Sequence, residues 1–456
     1  MTNSAPSAAG KGDLTQGSIR SHLVRLSVPM IWGIMALISF QLVDTFFVAR
    51  LGTEKLAALT FTFPLSYIIF SFILGFGISM SSVAARLIGE GNPHAVKRVV
   101  THGLLIGFLA GSLLTLLGYL HMESIFTAMG ADEDMLAKIL KYMRVWFLGP
   151  VFVATWIIGN AAIRAGGDTK TPALIMGSVA LTNLVLDPIL IFGLFGFPRL
   201  ELQGAAIATI CGEILGAFIA LYVLYGRKKL LLSPRYPELE TFKNSFKRII
   251  SIALPVGITN TIYPLVNAFI IGILSASGSA AVAAFGIASR IEAFAFIILM
   301  ALSIGMGPII SQNFGAKNFA RTKETLKLAI GFNVLWSACV AVILGVLAKP
   351  IAGLFSSDPH VIAYMTLFFW IVPFSYAFSN LVNSWCSAFN AMGKPRYSFT
   401  MIVVKMLLLM IPALCLGYDI GGPQGLFIAM AAVNLLTGTT FHLWSQKRLQ
   451  KIEIGD

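Results

Sequence analysis

The chain has 456 residues, 57% of them hydrophobic and only 12% charged, whereas a typical soluble domain carries roughly 25% charged residues. So few charges cannot cover a water-soluble globule of this size. A soluble enzyme, an acidic disordered protein and a nucleic-acid reader are therefore excluded as whole-chain readings, despite the net charge of +13. At roughly 20 apolar residues per membrane span, the length leaves room for about twelve spans.

In chain order, residues 1–20 are polar and rich in Ser, Ala and Gly, and read as a flexible tail rather than a signal peptide. Apolar runs follow near 24–49, 56–86, 98–121, 138–164, 170–196, 203–225, 246–273, 280–311, 322–348, 360–391, 396–418 and 423–445. They are long and continuously apolar, which implies helices rather than the alternating strands of a barrel. The expected fold is an all-α membrane protein of twelve transmembrane helices. Two pseudo-symmetric six-helix lobes, 21–225 and 246–446, surround a central cavity and are joined by a basic linker at 226–245. Residues 447–456 form a second tail.

Loop charge sets the orientation. With the N-terminus inside, 24 Lys and Arg fall on the inner side and 7 on the outer. Both termini are expected in the cytoplasm, with the basic loops facing the acidic inner leaflet of the plasma membrane. The four cysteines (Cys211, Cys339, Cys386 and Cys415) lie apart within apolar runs, so neither a disulfide nor a metal site is expected.

The sequence also repeats. ISMSSVAARLIGEGNPHAVK (78–97) aligns with IGMGPIISQNFGAKNFARTK (304–323) at an offset of 226, placing Gly89 on Gly315, Asn92 on Asn318 and Lys97 on Lys323. AIRAGG (162–167) aligns with AFNAMG (388–393) at the same offset. Parallel repeats place a transport path between the halves, and a fixed pore needs no such duplication.

Ionisable groups at bilayer depth cost at least ~2.5–3.5 kcal/mol each on insertion scales. Asp44 in span 1 and Asp187 in span 5 are the deepest, followed by Glu213, Arg290, Glu292 and Lys405. Asn183 and Asp187 are four apart and share a helix face, and Pro188 frees a carbonyl beside them. Asn160 in span 4 and Thr209 in span 6 offer further oxygens to a proton or small-cation site. Two carboxylates close together in low dielectric cannot both carry charge cheaply. Glu213, Arg290 and Glu292 read as packing or snorkelling groups, and Lys405 divides between gating and snorkelling. Phe285 and Met300, with Gln41 and Lys405, are candidates for lining a forgiving substrate cavity. Neither a phosphate loop nor a nucleophile elbow nor a zinc-protease helix is found, so energy is expected from an ion gradient and no cofactor is expected.

QLVDTFFVARLG around Asp44, AIRAGGDTKTP (162–172), NLVLDP (183–188) and LQGAAIAT (202–209), with the duplicated lobes, resemble the multidrug and toxic compound extrusion (MATE) family. Within it the chain is similar to the DinF-type branch, whose coupling acid in span 1 and Asn-x-x-x-Asp in span 5 match Asp44, Asn183 and Asp187. The resemblance implies that Asn160 and Thr209 support the same site and that Pro29 is the hinge of span 1. The acids that NorM-type members place in spans 7 and 10 are missing here. What the resemblance implies is a monomeric secondary transporter, not an enzyme. It would export organic cations or amphipathic drugs in exchange for protons. A sodium-coupled antiporter and a flippase for a lipid or lipid-linked sugar are the alternatives.

Overall fold

The structure is a computed structural model describing residues 13–231 and 239–454. Residues 1–12 of the expected tail and 232–238 of the expected linker lie outside the described residues. The N-terminal half contains α1 (Ile19–Ala49), α2 (Thr53–Gly89), α3 (Pro93–Ala128), α4 (Glu133–Trp146), α5 (Pro150–Ala165), α6 (Lys170–Phe192) and α7 (Leu202–Tyr222). The C-terminal half contains α8 (Leu239–Ser275), α9 (Ser279–Ala295), α10 (Ile297–Gly315), α11 (Phe319–Val346), α12 (Ala348–Phe355), α13 (Pro359–Ile371), α14 (Tyr376–Ala391), α15 (Pro395–Val403) and α16 (Ile411–Ile454).

Ten of these helical runs are long and apolar enough to cross a membrane, and α4 with α5, bent by 46°, makes an eleventh. The run Pro395–Ile454 is 60 residues long and breaks at Gly421 and Gly422, where φ is −141° and 57°. It therefore supplies two crossings, and twelve spans result. The repeats also share their start signals: Asn92 caps α3 by accepting from the Ala95 N–H at 3.0 Å, and Asn318 caps α11 by accepting from Arg321 at 3.4 Å. An Asn side chain that occupies an orphan amide sets each helix start.

Two hydrophobic cores form, and the first helix of each half is shared between them. Ile19, Leu23 and Leu26 of α1 belong to the core built mostly from the C-terminal half, whereas Met30, Ile34 and Val48 of the same helix belong to the N-terminal core. In reciprocal fashion, Ile249, Ile252, Ala253 and Val256 of α8 join the N-terminal core, and Ile262, Val266 and Ile270 join the C-terminal one. The exchange falls at Pro29 in α1 and between Pro255 and Pro264 in α8. Pro29 removes a backbone donor where α1 passes from one core to the other, and the two prolines of α8 do so on either side of its passage.

Interlobe hydrogen bonds gather at the end of the bundle that carries the basic loops. Gln312 Nε2 donates to Ala165 O at 2.7 Å, Ser82 Oγ to Asn390 O at 2.7 Å, and Ser79 Oγ to Ile249 O at 2.7 Å. The described part of the N-terminal segment is docked there, contrary to the expected flexible tail. Leu14 is fully buried; its N–H donates to Gln312 Oε1 at 3.0 Å and its carbonyl accepts from Asn313 Nδ2 at 3.1 Å. A buried leucine and three residues' worth of paired backbone hold this strap, a feature that a Ser/Ala/Gly-rich composition conceals.

Candidate functional site

The N-terminal lobe holds a polar site among otherwise apolar helices. Asp187 and Asn183 on α6 are 0% and 1% exposed. The four-residue spacing stacks them on one face, and α7 packs along α6 to close that face. The Asn183 amide is oriented with its nitrogen on Asp187, the orientation that gives both of its ends partners. It donates to Asp187 Oδ2 at 2.7 Å and accepts from the Thr209 hydroxyl at 3.1 Å and the Thr209 N–H at 3.2 Å. Asp187 Oδ1 has no hydrogen-bond partner, nor has the buried Oδ1 of Asp44 on α1. The two carboxylates lie close enough to act on one another electrostatically.

Asp44, Asp187, Asn183 and Thr209 are thus brought together as expected from the sequence. Asn160, on α5, is fully buried, but both of its amide atoms lack partners, so no hydrogen bond ties it to the other four. Tyr142 of α4 is a neighbour that the sequence reading missed: it is 7% exposed and lies near enough to Asp44 and Asp187 to feel the charge of each. Its helix is amphipathic, with Glu133 and Asp134 in the first turn, and nothing local marks one tyrosine as facing inward. A buried carboxylate oxygen without a donor is costly unless a proton or cation occupies it. Two such oxygens in one site, near a tyrosine and an unpaired amide, are an arrangement chemically able to hold a proton or a small cation.

The substrate-cavity candidates do not form one surface. Phe285 is 3% exposed and packs edge-on to Phe368, with ring centroids 6.0 Å apart. This corrects the reading of Phe285 as cavity-lining. With Ala281, Ala284 and Ala288 it forms the buried stripe of α9, a helical spacing that turns the ring into the core. Gln41 and Met300 are exposed, and Lys405 is 0% exposed. Glu213 is bonded by the indole N–H of Trp156, in keeping with a packing role. Glu292 departs from that reading: it faces the Tyr376 hydroxyl and the Lys405 ammonium inside the C-terminal lobe. An apolar cleft of about 450 Å³ between the two arms of Pro395–Ile454 is lined by Leu416, Ile420, Gln424 and Ile428. It presents no ionisable group and is not part of this site.

The sequence matches the MatE family over residues 29–189 and 255–415, two segments offset by the same 226 residues as the internal repeat. It is 36% identical over 440 residues to a Shewanella oneidensis protein named FAD transporter, covering 96% of this chain and 97% of the relative. It is 24% identical to the probable multidrug resistance protein NorM of Thermotoga maritima, covering 92% and 91%. Among solved structures, the bent form of the Vibrio cholerae MATE transporter VcmN superposes with a TM-score of 0.89 at 30% identity, covering 95% and 97%.

Proposed function

Because this chain belongs to the MatE family, whose members are transporters rather than enzymes, we propose that it exports amphipathic organic compounds across the plasma membrane in exchange for protons, using Asp44 and Asp187 as the coupling carboxylates. The observation that carries this reading is the pair of buried, donorless carboxylate oxygens in one N-terminal site. The charge asymmetry of the loops supports a cytoplasmic basic-loop end. Closure of the two lobes at that end then makes the described state outward-facing.

In this cycle a proton arrives from outside, neutralises a carboxylate and changes the packing of α1 about Pro29. That proline lies between the parts of α1 anchored in the two cores, so protonation on its far side is transmitted to the interlobe contact. Cargo is released outward, and loss of the proton inside restores the starting arrangement. A potential of about 150 mV supplies ~3.5 kcal/mol per proton, enough for a cargo ratio of a few hundred at about 1.4 kcal/mol per tenfold.

Two classes of cargo have support. Relatives named multidrug resistance or export proteins support organic cations and drugs. The relative named FAD transporter, the more similar in sequence, supports a flavin dinucleotide, and the buried Lys405 in the C-terminal lobe suits such an anion. Sodium in place of the proton is the second reading of the coupling ion, supported by the donorless oxygens of Asp44 and Asp187, which a small cation can also occupy. Purified protein in liposomes, given pH and sodium gradients separately, tests both readings. Proton-driven uptake of ethidium or FAD that is abolished in Asp44→Asn, with normal membrane insertion, is expected. Full pH-driven transport in that variant overturns the coupling role.

A further inference from the structure

We propose that Lys405 is the seat for an anionic group of the exported compound. The inference rests on the export reading above and specifies its cargo chemistry. Lys405 is 0% exposed inside the C-terminal lobe, and its Nζ donates to Ser379 Oγ of α14 at 2.9 Å. No carboxylate lies within 4.0 Å of it among the described residues. An ammonium has three donors, so a hydroxyl alone leaves a buried charge under-satisfied. A packing lysine would extend to the surface, and a structural ion pair would close on its acid; this side chain does neither.

Three further features converge there. Lys405 lies in a π-helical stretch, Val404–Met410, within span 11. Such widened turns sacrifice regular hydrogen bonding and recur at functional sites. The Tyr376 hydroxyl is buried and turned to the Glu292 carboxyl without a well-formed hydrogen bond, so it becomes a second donor for an incoming oxygen once Glu292 gives way. Phe296 packs edge-on to the Tyr376 ring at 4.8 Å, giving an aromatic flank beside the donors. The facing charged group is Glu292 of α9, and the other titratable neighbour is the Cys386 thiol. Glu292 balances Lys405 while the seat is empty and gives way to the anion of the cargo. The ligand class is an organic phosphate or carboxylate attached to an aromatic body, a chemistry that a flavin dinucleotide meets and an organic cation does not. Coupling chemistry and cargo recognition then occupy different lobes: paired acids in one, an under-satisfied base in the other.

The test is transport by the full chain in liposomes under a fixed pH gradient with three probes: FAD, uncharged riboflavin and cationic ethidium. Lys405→Met is expected to raise the KM for FAD about tenfold or more, the loss of one charge-assisted hydrogen bond, with much smaller changes for riboflavin and ethidium. Lys405→Arg keeps most FAD transport, and Glu292→Gln lowers the KM for FAD. An unchanged KM for FAD in Lys405→Met overturns the proposal, as does an equal loss for all three probes, which marks a structural role. If the wild-type protein moves ethidium but not FAD, the anion seat fails while the export reading stands. If it moves none of the three under either ion gradient, the export reading fails as well.

Discussion

A β-carbon on Gly89 would lie 2.0 Å from the backbone oxygen of Gln312. The duplicate contact exists: a β-carbon on Gly315 would lie 2.2 Å from the backbone oxygen of Arg86. Each residue is 226 positions from its counterpart, so the ends of α2 and α10 cross in a self-complementary contact at the basic-loop end. Alanine at either position cannot be accommodated unless the lobes separate there. Overpacking of this kind costs about 1–3 kcal/mol, a shift of roughly fivefold to a hundredfold in the balance between closed and open. Gly89→Ala and Gly315→Ala are each expected to slow transport. They should also expose a cysteine placed at Ser82 to water-soluble thiol reagents, once the four native cysteines are replaced. Unchanged labelling in both variants would mean that this contact does not set the closed state.

The strap at 13–17 strengthens the same closure from one side only. Gln312 accepts from the Leu14 N–H through Oε1 and donates to Ala165 O through Nε2, so one amide links the strap, α10 and the opposite lobe. Arg321 adds a bond to Gly17 O at 2.9 Å. Removing a fully buried leucine side chain costs about 2–5 kcal/mol in a well-packed core. Leu14→Ala is expected to speed amide hydrogen exchange at 13–17 and, through Gln312, at the end of α10. If exchange accelerates at 13–17 while the end of α10 stays protected, the strap is a passenger rather than part of the gate.

Most of the frame was legible because apolar run length and loop charge are strong signals in a membrane chain. Asn183 and Asp187 were legible for a local reason: the four-residue spacing fixes a shared face whatever surrounds it. Tyr142, Leu14 and Gln312 were not, because each becomes functional only through contacts between segments far apart in sequence. Phe285 failed for the converse reason. Its composition suited a cavity, but the alanine stripe of its own helix turns it inward. The core exchange at Pro29 shows the same limit: a proline can be seen in the sequence, but not that Leu26 and Met30 on either side of it belong to different cores.

At the same end, Asp168 ties the α5–α6 turn to the segment after α7. Its carboxylate pairs with Lys228 Nζ at 2.7 Å and accepts from the Thr171 N–H at 3.1 Å and the Thr171 hydroxyl at 2.9 Å. Half-burial works to raise its pKa, but the Lys228 ammonium and the two Thr171 donors outweigh it and hold the carboxyl below its ordinary range. A group depressed in the folded state contributes stability above its unfolded pKa and loses it as pH falls through the folded value. That contribution is complete at neutral pH and disappears below about pH 4. For a partly exposed pair it amounts to about 1 kcal/mol or less. Asp168→Asn should therefore lower thermal stability in detergent at pH 7 and make no difference in strong acid. A deficit of the same size at both pH values would assign the effect to the turn geometry rather than to the charge.

The chain of groups at Asp187 makes a sharper demand on the coupling site. Thr209 orients the Asn183 amide, and Asn183 in turn donates to Asp187 Oδ2 at 2.7 Å. A hydrogen bond to a charged group contributes about 1.5–3 kcal/mol, so Asn183→Ala should reduce ion-driven transport by roughly tenfold to a hundredfold. Thr209→Val removes the hydroxyl but leaves the Thr209 N–H on the same amide oxygen, so its effect should be smaller. The double variant should be no worse than Asn183→Ala alone, because Thr209 then has no amide left to orient. Additive losses in transport, measured with equal amounts of inserted protein, would show that Thr209 acts on the ion or the cargo directly and not through Asp187.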